Sequence, residues 1–210
     1  ARVLDWSLDL ERFPKREIRG PGRTFFHNAG LVDDDDRKGT RDTIRAFRRL
    51  ARTDVRLIVR MQKAAELPEL DERIEVRIGN LGEPAELYAE GEVAVQPSKM
   101  EGLGFMVLEP VCVGVPTVTI DYPPMSDCVA QPQLRARLRW FKRSAFPARA
   151  AGVKHAHLRL PDERDLMRRM AWCAEHDLAE VSRANRAFAE ARYEGGRLRS
   201  VWSRALGELG

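Results

Sequence analysis

The order of the apolar segments constrains this chain most. Short β-branched runs alternate with amphipathic stretches from residue 23 to residue 120. Residues 23–27, 55–59, 74–78, 93–95 and 117–120 read as strands by their length and their Val, Ile, Phe and Thr content. Between them, residues 40–51 place Ile44, Phe47 and Leu50 at helical spacing. Residues 84–88 read as a short helix with Pro84 in its first turn, and 105–113 as another. Strands separated by helices pair in parallel, and a parallel sheet must be covered on both faces. The expected fold is α/β, a Rossmann-like parallel sheet with helices on both faces. Further helices are expected at 135–141, 162–176, 178–193 and 201–209, the last with Trp202 and Leu206 on one face. Residues 155–160 alternate as an edge or terminal strand. Pro110 lacks an N–H, so it should kink or shorten the helix it occupies.

Composition narrows the class. A chain of 210 residues with 43% hydrophobic and 32% charged residues forms a buried core and is not disordered. No apolar run reaches the roughly 20 residues of a membrane span. Three scattered cysteines do not make a disulfide framework, which points to a reducing, cytoplasmic setting. Residues 1–22, with Pro14, Gly20, Pro21 and Gly22, read as an interdomain linker. Residues 23–195 then form the domain and 196–210 a C-terminal helix. The chain opens mid-element without a signal-peptide pattern, which reads as the C-terminal part of a longer protein.

The net charge of +4 is too small to imply a nucleic-acid partner without a basic face or a known motif. The densest basic stretch, 135–149 with Trp140 and Phe141, reads as an amphipathic helix with a solvated Arg face. Peripheral contact with anionic lipid is the other use open to it. The four aspartates at 33–36 read as a solvated, mobile loop, because adjacent carboxylates point apart and repel. Cys173 with His176, and His155 with His157, have ligand-like spacing but lie far from the other candidate groups, so no metal is expected. Cys112 sits in an apolar run and reads as core.

The chemistry concentrates at 101–109, where Glu101 and Glu109 flank a glycine-containing turn and an apolar run. Gly102 and Gly104 allow close approach of backbone to a ligand. Phe105, Met106 and Val107 open a helix, whose free N–H groups and positive dipole end suit a phosphate. If the whole segment is helical, its eight residues span roughly 12 Å, which would set one carboxylate on each side of a diphosphate. Ionised carboxylates only accept, so they suit sugar hydroxyls, and the arrangement fits a nucleotide-diphosphate sugar with Glu101 toward the sugar and Glu109 toward the ribose. Lys38, beside Gly39 at the mouth of the first strand–helix unit, is placed to neutralise phosphate. Ser98 is open to two readings, a phosphate contact or a turn cap, and Lys99 to phosphate or water.

These residues also carry a resemblance. The Glu101–Glu109 spacing stands in order with Leu10-Glu11-Arg12-Phe13-Pro14, Lys38-Gly39, Ile78-Gly79-Asn80, Glu86-Leu87-Tyr88 and Gly114-Val115-Pro116. Together they resemble the retaining GT-B glycosyltransferases of the glycosyl transferases group 1 family. The resemblance implies the C-terminal half of a GT-B fold and a nucleoside diphosphate sugar as donor. It implies no cofactor, and an acceptor-binding N-terminal domain outside this chain. It makes Glu101 and Lys38 the catalytic pair. Glu109, Gly102, Gly104, Phe105, Met106, Val107, Ser98, Lys63 and Ile78 become donor-binding. In that family an Arg normally follows a glycine several residues before the Lys. Residues 28–32 hold none, which leaves Lys63 or Arg60 as the substitute. An epimerase or phosphorylase of the same architecture, or a non-catalytic sugar-nucleotide-binding subunit, are the alternatives.

Overall fold

The computed structural model describes residues 6, 8–32, 36–139 and 158–207. Six parallel strands form one sheet in the order β3-β2-β1-β4-β5-β6. They are β1 (Thr24–Gly30), β2 (Arg56–Met61), β3 (Ile74–Ile78), β4 (Val93–Val95), β5 (Thr117–Ile120) and β6 (Arg135–Ala136). The helices are α1 (Thr40–Arg48), α2 (Pro84–Leu87), α3 (Phe105–Val113), α4 (Glu163–Glu175), α5 (Ala179–Tyr193) and α6 (Gly195–Gly207). This is a doubly wound, Rossmann-like sheet. Its order reverses between β1 and β4, and ligands of such sheets bind at the carboxyl ends of the two strands flanking that reversal.

The burial pattern follows from the order. The residues of β4 and β5 are all buried, whereas β3, at the edge, buries only Ile74. The crossover through α1 runs from β1 to β2 and the one through α3 from β4 to β5, in opposite directions across the sheet. Right-handed connections therefore place α1 and α3 on opposite faces. There α1 packs with α4, and α3 with α5. Because α3 lies between the sheet and α5, Val107, Leu108, Val111, Cys112 and Val113 are all buried. Its helix continues past Pro110 to Val113 and stops at Gly114, whose φ is +98°. A Cβ at Gly114 would lie 2.6 Å from the Arg16 carbonyl, so that site needs glycine for both space and backbone angle.

Residues 8–22 lie against this domain. Phe13 and Ile18 are buried in its core. The Arg16 amide donates to the Val113 carbonyl at 2.8 Å, and the Ile18 amide to Ser182 Oγ at 2.9 Å. Leu8 forms a parallel bridge with Glu194, so this segment also adjoins the start of α6. On α6, Trp202 and Leu206 are both exposed.

The structure corrects two expectations from periodicity. Residues 135–136 are the strand β6, with Thr119 opposite Arg135 and Ile120 opposite Ala136. Leu134 and Ala136 are fully buried while Arg135 and Arg137 are not, an alternation of two that pairing with β5 enforces. Residues 158–160 form no strand; Leu138 instead bridges Pro161 in antiparallel fashion. The rest of the basic stretch, 140–149, and His155 and His157 lie outside the described residues. Arg135, Arg137 and Arg139 do not form a free basic face. Arg135 bonds the Val129 carbonyl, Arg137 meets Asp165 at 3.4 Å, and Arg139 meets Glu163 at 2.6 Å. No helix among the described residues is long and apolar enough to cross a membrane.

Candidate functional site

The loops leaving β1 and β4 meet where the strand order reverses. His27, in β1, is buried beside β4 and the start of α1. Its Nδ1 lies 2.6 Å from the Val95 carbonyl and its Nε2 2.9 Å from Thr40 Oγ1. A carbonyl only accepts, so Nδ1 carries the proton and Nε2 accepts from the Thr40 hydroxyl. One imidazole thereby ties β1 to β4 and to the first residue of α1. Burial pushes its pKa down to about 4.

The turn 36–39 is held just as firmly. Asp36 is buried, with φ +48°, and its carboxylate accepts the Arg41 amide at 3.2 Å. Lys99 reaches it from the β4 loop, 3.0 Å from Asp36 and 2.8 Å from Asp42. This corrects two expectations. Asp36 is no solvated loop residue, because it caps α1 and pairs with a buried ammonium; 33–35 lie outside the described residues. Lys99 faces neither water nor an open site. Its backbone N–H also donates to the Arg37 carbonyl at 2.8 Å, tying the two loops together. At Gly39, φ is +73° and a Cβ would sit 2.6 Å from the Pro97 carbonyl, so only glycine fits.

On this support stand two cations. Lys38 Nζ is 2.5 Å from Glu101 Oε1, and Arg37 reaches the same oxygen at 3.3 Å. The Lys38 and Glu101 side chains are only 12% and 11% exposed. Burial lowers the pKa of the Lys38 ammonium, and the Glu101 charge opposes that. Across the crevice, α3 begins at Gly104, which provides no side-chain cap. The Val107 and Leu108 amides both donate to the Gly104 carbonyl at 2.9 Å. The Phe105 and Met106 amides have no acceptor among the described residues, so these two are the donors at this helix end. Ser98 Oγ and both polar atoms of the Gln96 amide are buried without a hydrogen-bond partner among the described residues. Gly102 stands in open space.

Glu109, one turn into α3, accepts a hydrogen bond from the Tyr88 hydroxyl. Burial raises its pKa, opposed by Tyr88 and by the Lys38 charge. Lys38 thus acts on both carboxylates of the motif, at contact with Glu101 and through space with Glu109. Beside α3 a cavity of about 270 Å³ opens over the ends of β1, β2 and β3, lined among others by Asn28, Gln62, Gly79 and Asn80. Asn28 joins it to the α3 end, its Nδ2 3.8 Å from Met106 Sδ.

Lys63 follows β2, is exposed and has no partner among the described residues. Ile78 ends β3 and is 58% exposed. Arg60 is bound to Glu90. Sequence reasoning missed Arg37, Asp36, His27 and Tyr88 as parts of this site. Arg37 was visible as the neighbour of Lys38; the partners of the others are set by tertiary contact alone. Cys112 is buried and its thiol is pushed up to about 12 by that burial. Cys173 is buried, whereas the exposed His176 stacks on Trp172 at 4.6 Å. No cluster of metal-ligating side chains occurs among the described residues.

A search of curated protein sequences finds no match. Solved structures do match. A glycosyltransferase from Rickettsia africae superposes with a TM-score of 0.68 at 9% identity, covering 96% of this chain and 55% of that one. Sucrose-phosphate synthase from Thermosynechococcus elongatus gives 0.65 at 14% identity, over 99% of this chain and 52% of that one. The catalytic domain of cholesterol-α-glucosyltransferase from Helicobacter pylori gives 0.53 at 14%, over 81% and 97%. At these identities the likeness is one of fold, and the chain spans about half the length of the first two. The family model described as glycosyl transferases group 1 matches residues 23–137, more than half of the sequence. The chain therefore belongs to the glycosyl transferases group 1 family, and its sheet is the Rossmann-like unit of a GT-B glycosyltransferase.

Proposed function

We propose that this domain binds the nucleoside diphosphate sugar donor of a retaining glycosyltransferase, the acceptor being held by a preceding domain. The observation that carries the reading is the convergence at the strand reversal of Lys38, Arg37, the uncapped N-terminus of α3 and the unpartnered Ser98 hydroxyl. That set offers two positive charges and several hydrogen-bond donors to one anionic group, where sheets of this kind bind ligands. The diphosphate lies between the cations and the amides of Phe105 and Met106. Arg37 takes the place of the Arg absent from 28–32. The ribose reaches Glu109, and the base enters the cavity beside Asn28. As the bond to the sugar breaks, negative charge builds on the leaving diphosphate. Donors already aimed there favour that step more than they favour the ground state.

Calorimetry with UDP-, GDP-, ADP- and dTDP-sugars and their nucleotides tests the assignment. Glu109→Ala should weaken both the sugar nucleotide and the bare diphosphate by about 1.5–3 kcal/mol, the worth of a hydrogen bond to a charged group. Lys38→Ala should weaken nucleoside diphosphate far more than monophosphate, and the difference should shrink with added salt. Unchanged affinities in both folded variants would remove the donor from this crevice.

A further inference from the structure

Glu101 already pairs with the two cations that a diphosphate would use. Its Oε1 takes Lys38 at 2.5 Å and Arg37 at 3.3 Å, so a phosphate that engages these cations competes with it for their charge. The cations themselves have little freedom to retreat. Their turn is fixed by the Asp36 cap, the Lys99 pair and the crowded Gly39. The β4 loop gives way more easily around Glu101: Gly102 has no neighbour within 4 Å of a Cβ, and Leu103 is 49% exposed.

We propose that Glu101 is a specificity-determining residue, which makes the site favour an intact sugar nucleotide over the bare nucleoside diphosphate left after transfer. The inference rests on the donor-site reading above. A carboxylate expelled from two cations, in a place only 11% exposed, is costly unless new donors meet it. Sugar hydroxyls are such donors. A bare diphosphate brings none at that end; its terminal oxygens are acceptors and repel the carboxylate. The sugar nucleotide therefore compensates the displacement and the product does not. The sign is distinctive. A residue that merely held the sugar would leave diphosphate affinity untouched on removal, whereas a competing internal anion, once removed, raises it.

The test is calorimetry on this chain with Glu101→Gln, using UDP, GDP, ADP and dTDP and the glucose conjugate of each. For the best-binding nucleotide, the variant should bind the bare diphosphate about tenfold more tightly, equivalent to about 1.4 kcal/mol. Affinity for the sugar conjugate should stay level or fall. Glu101→Ala should show the same direction and serves if the Gln variant folds poorly. Lys38→Met separates the two ideas. If it weakens both ligands while Glu101→Gln leaves diphosphate affinity unchanged or lowered, the donor site stands and the discrimination by Glu101 is refuted. If Lys38→Met changes neither ligand, or the parent chain binds neither, the donor-site reading fails and this inference falls with it.

Discussion

Acid should destabilise this domain through one buried imidazole. The neutral ring of His27 bonds the Val95 carbonyl and the Thr40 hydroxyl, and burial holds its folded pKa at about 4. In the unfolded chain a histidine titrates near 6.5. The folded value is the lower one, so unfolding takes up a proton between the two. Stability is complete above about 6.5 and is lost as pH falls toward 4. The gap is worth about 3 kcal/mol in total, with a slope approaching about 1.4 kcal/mol per pH unit. Glu109 acts the other way. Its folded pKa is raised by burial, so its contribution is complete below its unfolded value and is lost as pH rises through the folded one. Comparison with a variant isolates the histidine. His27→Gln keeps a donor and an acceptor but does not titrate, and it leaves Glu109 in place. Urea unfolding followed by tryptophan fluorescence from about pH 7.5 to about pH 4.5 should show the parent losing about 2–3 kcal/mol more than the variant. Parallel profiles within about 0.5 kcal/mol would refute the assignment of a neutral, load-sharing imidazole at the β1–β4–α1 junction.

Three further outcomes follow from the same geometry. Lys99→Met leaves Asp36 without its buried cation and should cost about 3–5 kcal/mol in urea unfolding, part of it recovered by adding Asp36→Asn. Gly30→Ala, at φ +60° with open surroundings, should cost about 1–2 kcal/mol. Gly39→Ala should cost clearly more and also weaken diphosphate binding, because its Cβ meets the Pro97 carbonyl at 2.6 Å; equal costs in unfolding titrations would refute the close-approach argument. Glu109→Gln should flatten the decline in stability as pH rises from about 4.5, read from unfolding of both proteins across that range; an unchanged decline would mean that burial does not raise the pKa of the Glu109 carboxyl.

The elements were legible wherever local pattern and final environment agree. Residues 74–78, 93–95, 105–113 and 117–120 were readable within their own windows, because strand and helix periodicities are properties of a few neighbouring side chains. The parallel, doubly covered sheet followed from their alternation. Residues 135–136 failed the same test: an Arg-rich alternation reads as one face of a helix until β5 supplies hydrogen-bond partners from sixteen residues upstream. The spacing of Glu101 and Glu109 and the position of Lys38 at a strand end were also visible in sequence, since each depends on one loop or one helix.

What only the tertiary structure decided is who meets whom. Lys38 and Glu101 are 63 residues apart, as are Lys99 and Asp36. Tyr88 meets Glu109 across 21 residues, and His27 meets Val95 across 68. Nothing in a local window distinguishes Lys99, buried as a structural counter-ion, from Lys38, placed at the crevice. Both are lysines in polar loops after strands. The difference comes from the sheet order, which sets the β1 and β4 loops side by side and buries whichever cation lies beneath the turn. Charge and periodicity are written along the chain. Desolvation and ion pairing depend on the surroundings that folding brings from elsewhere in it.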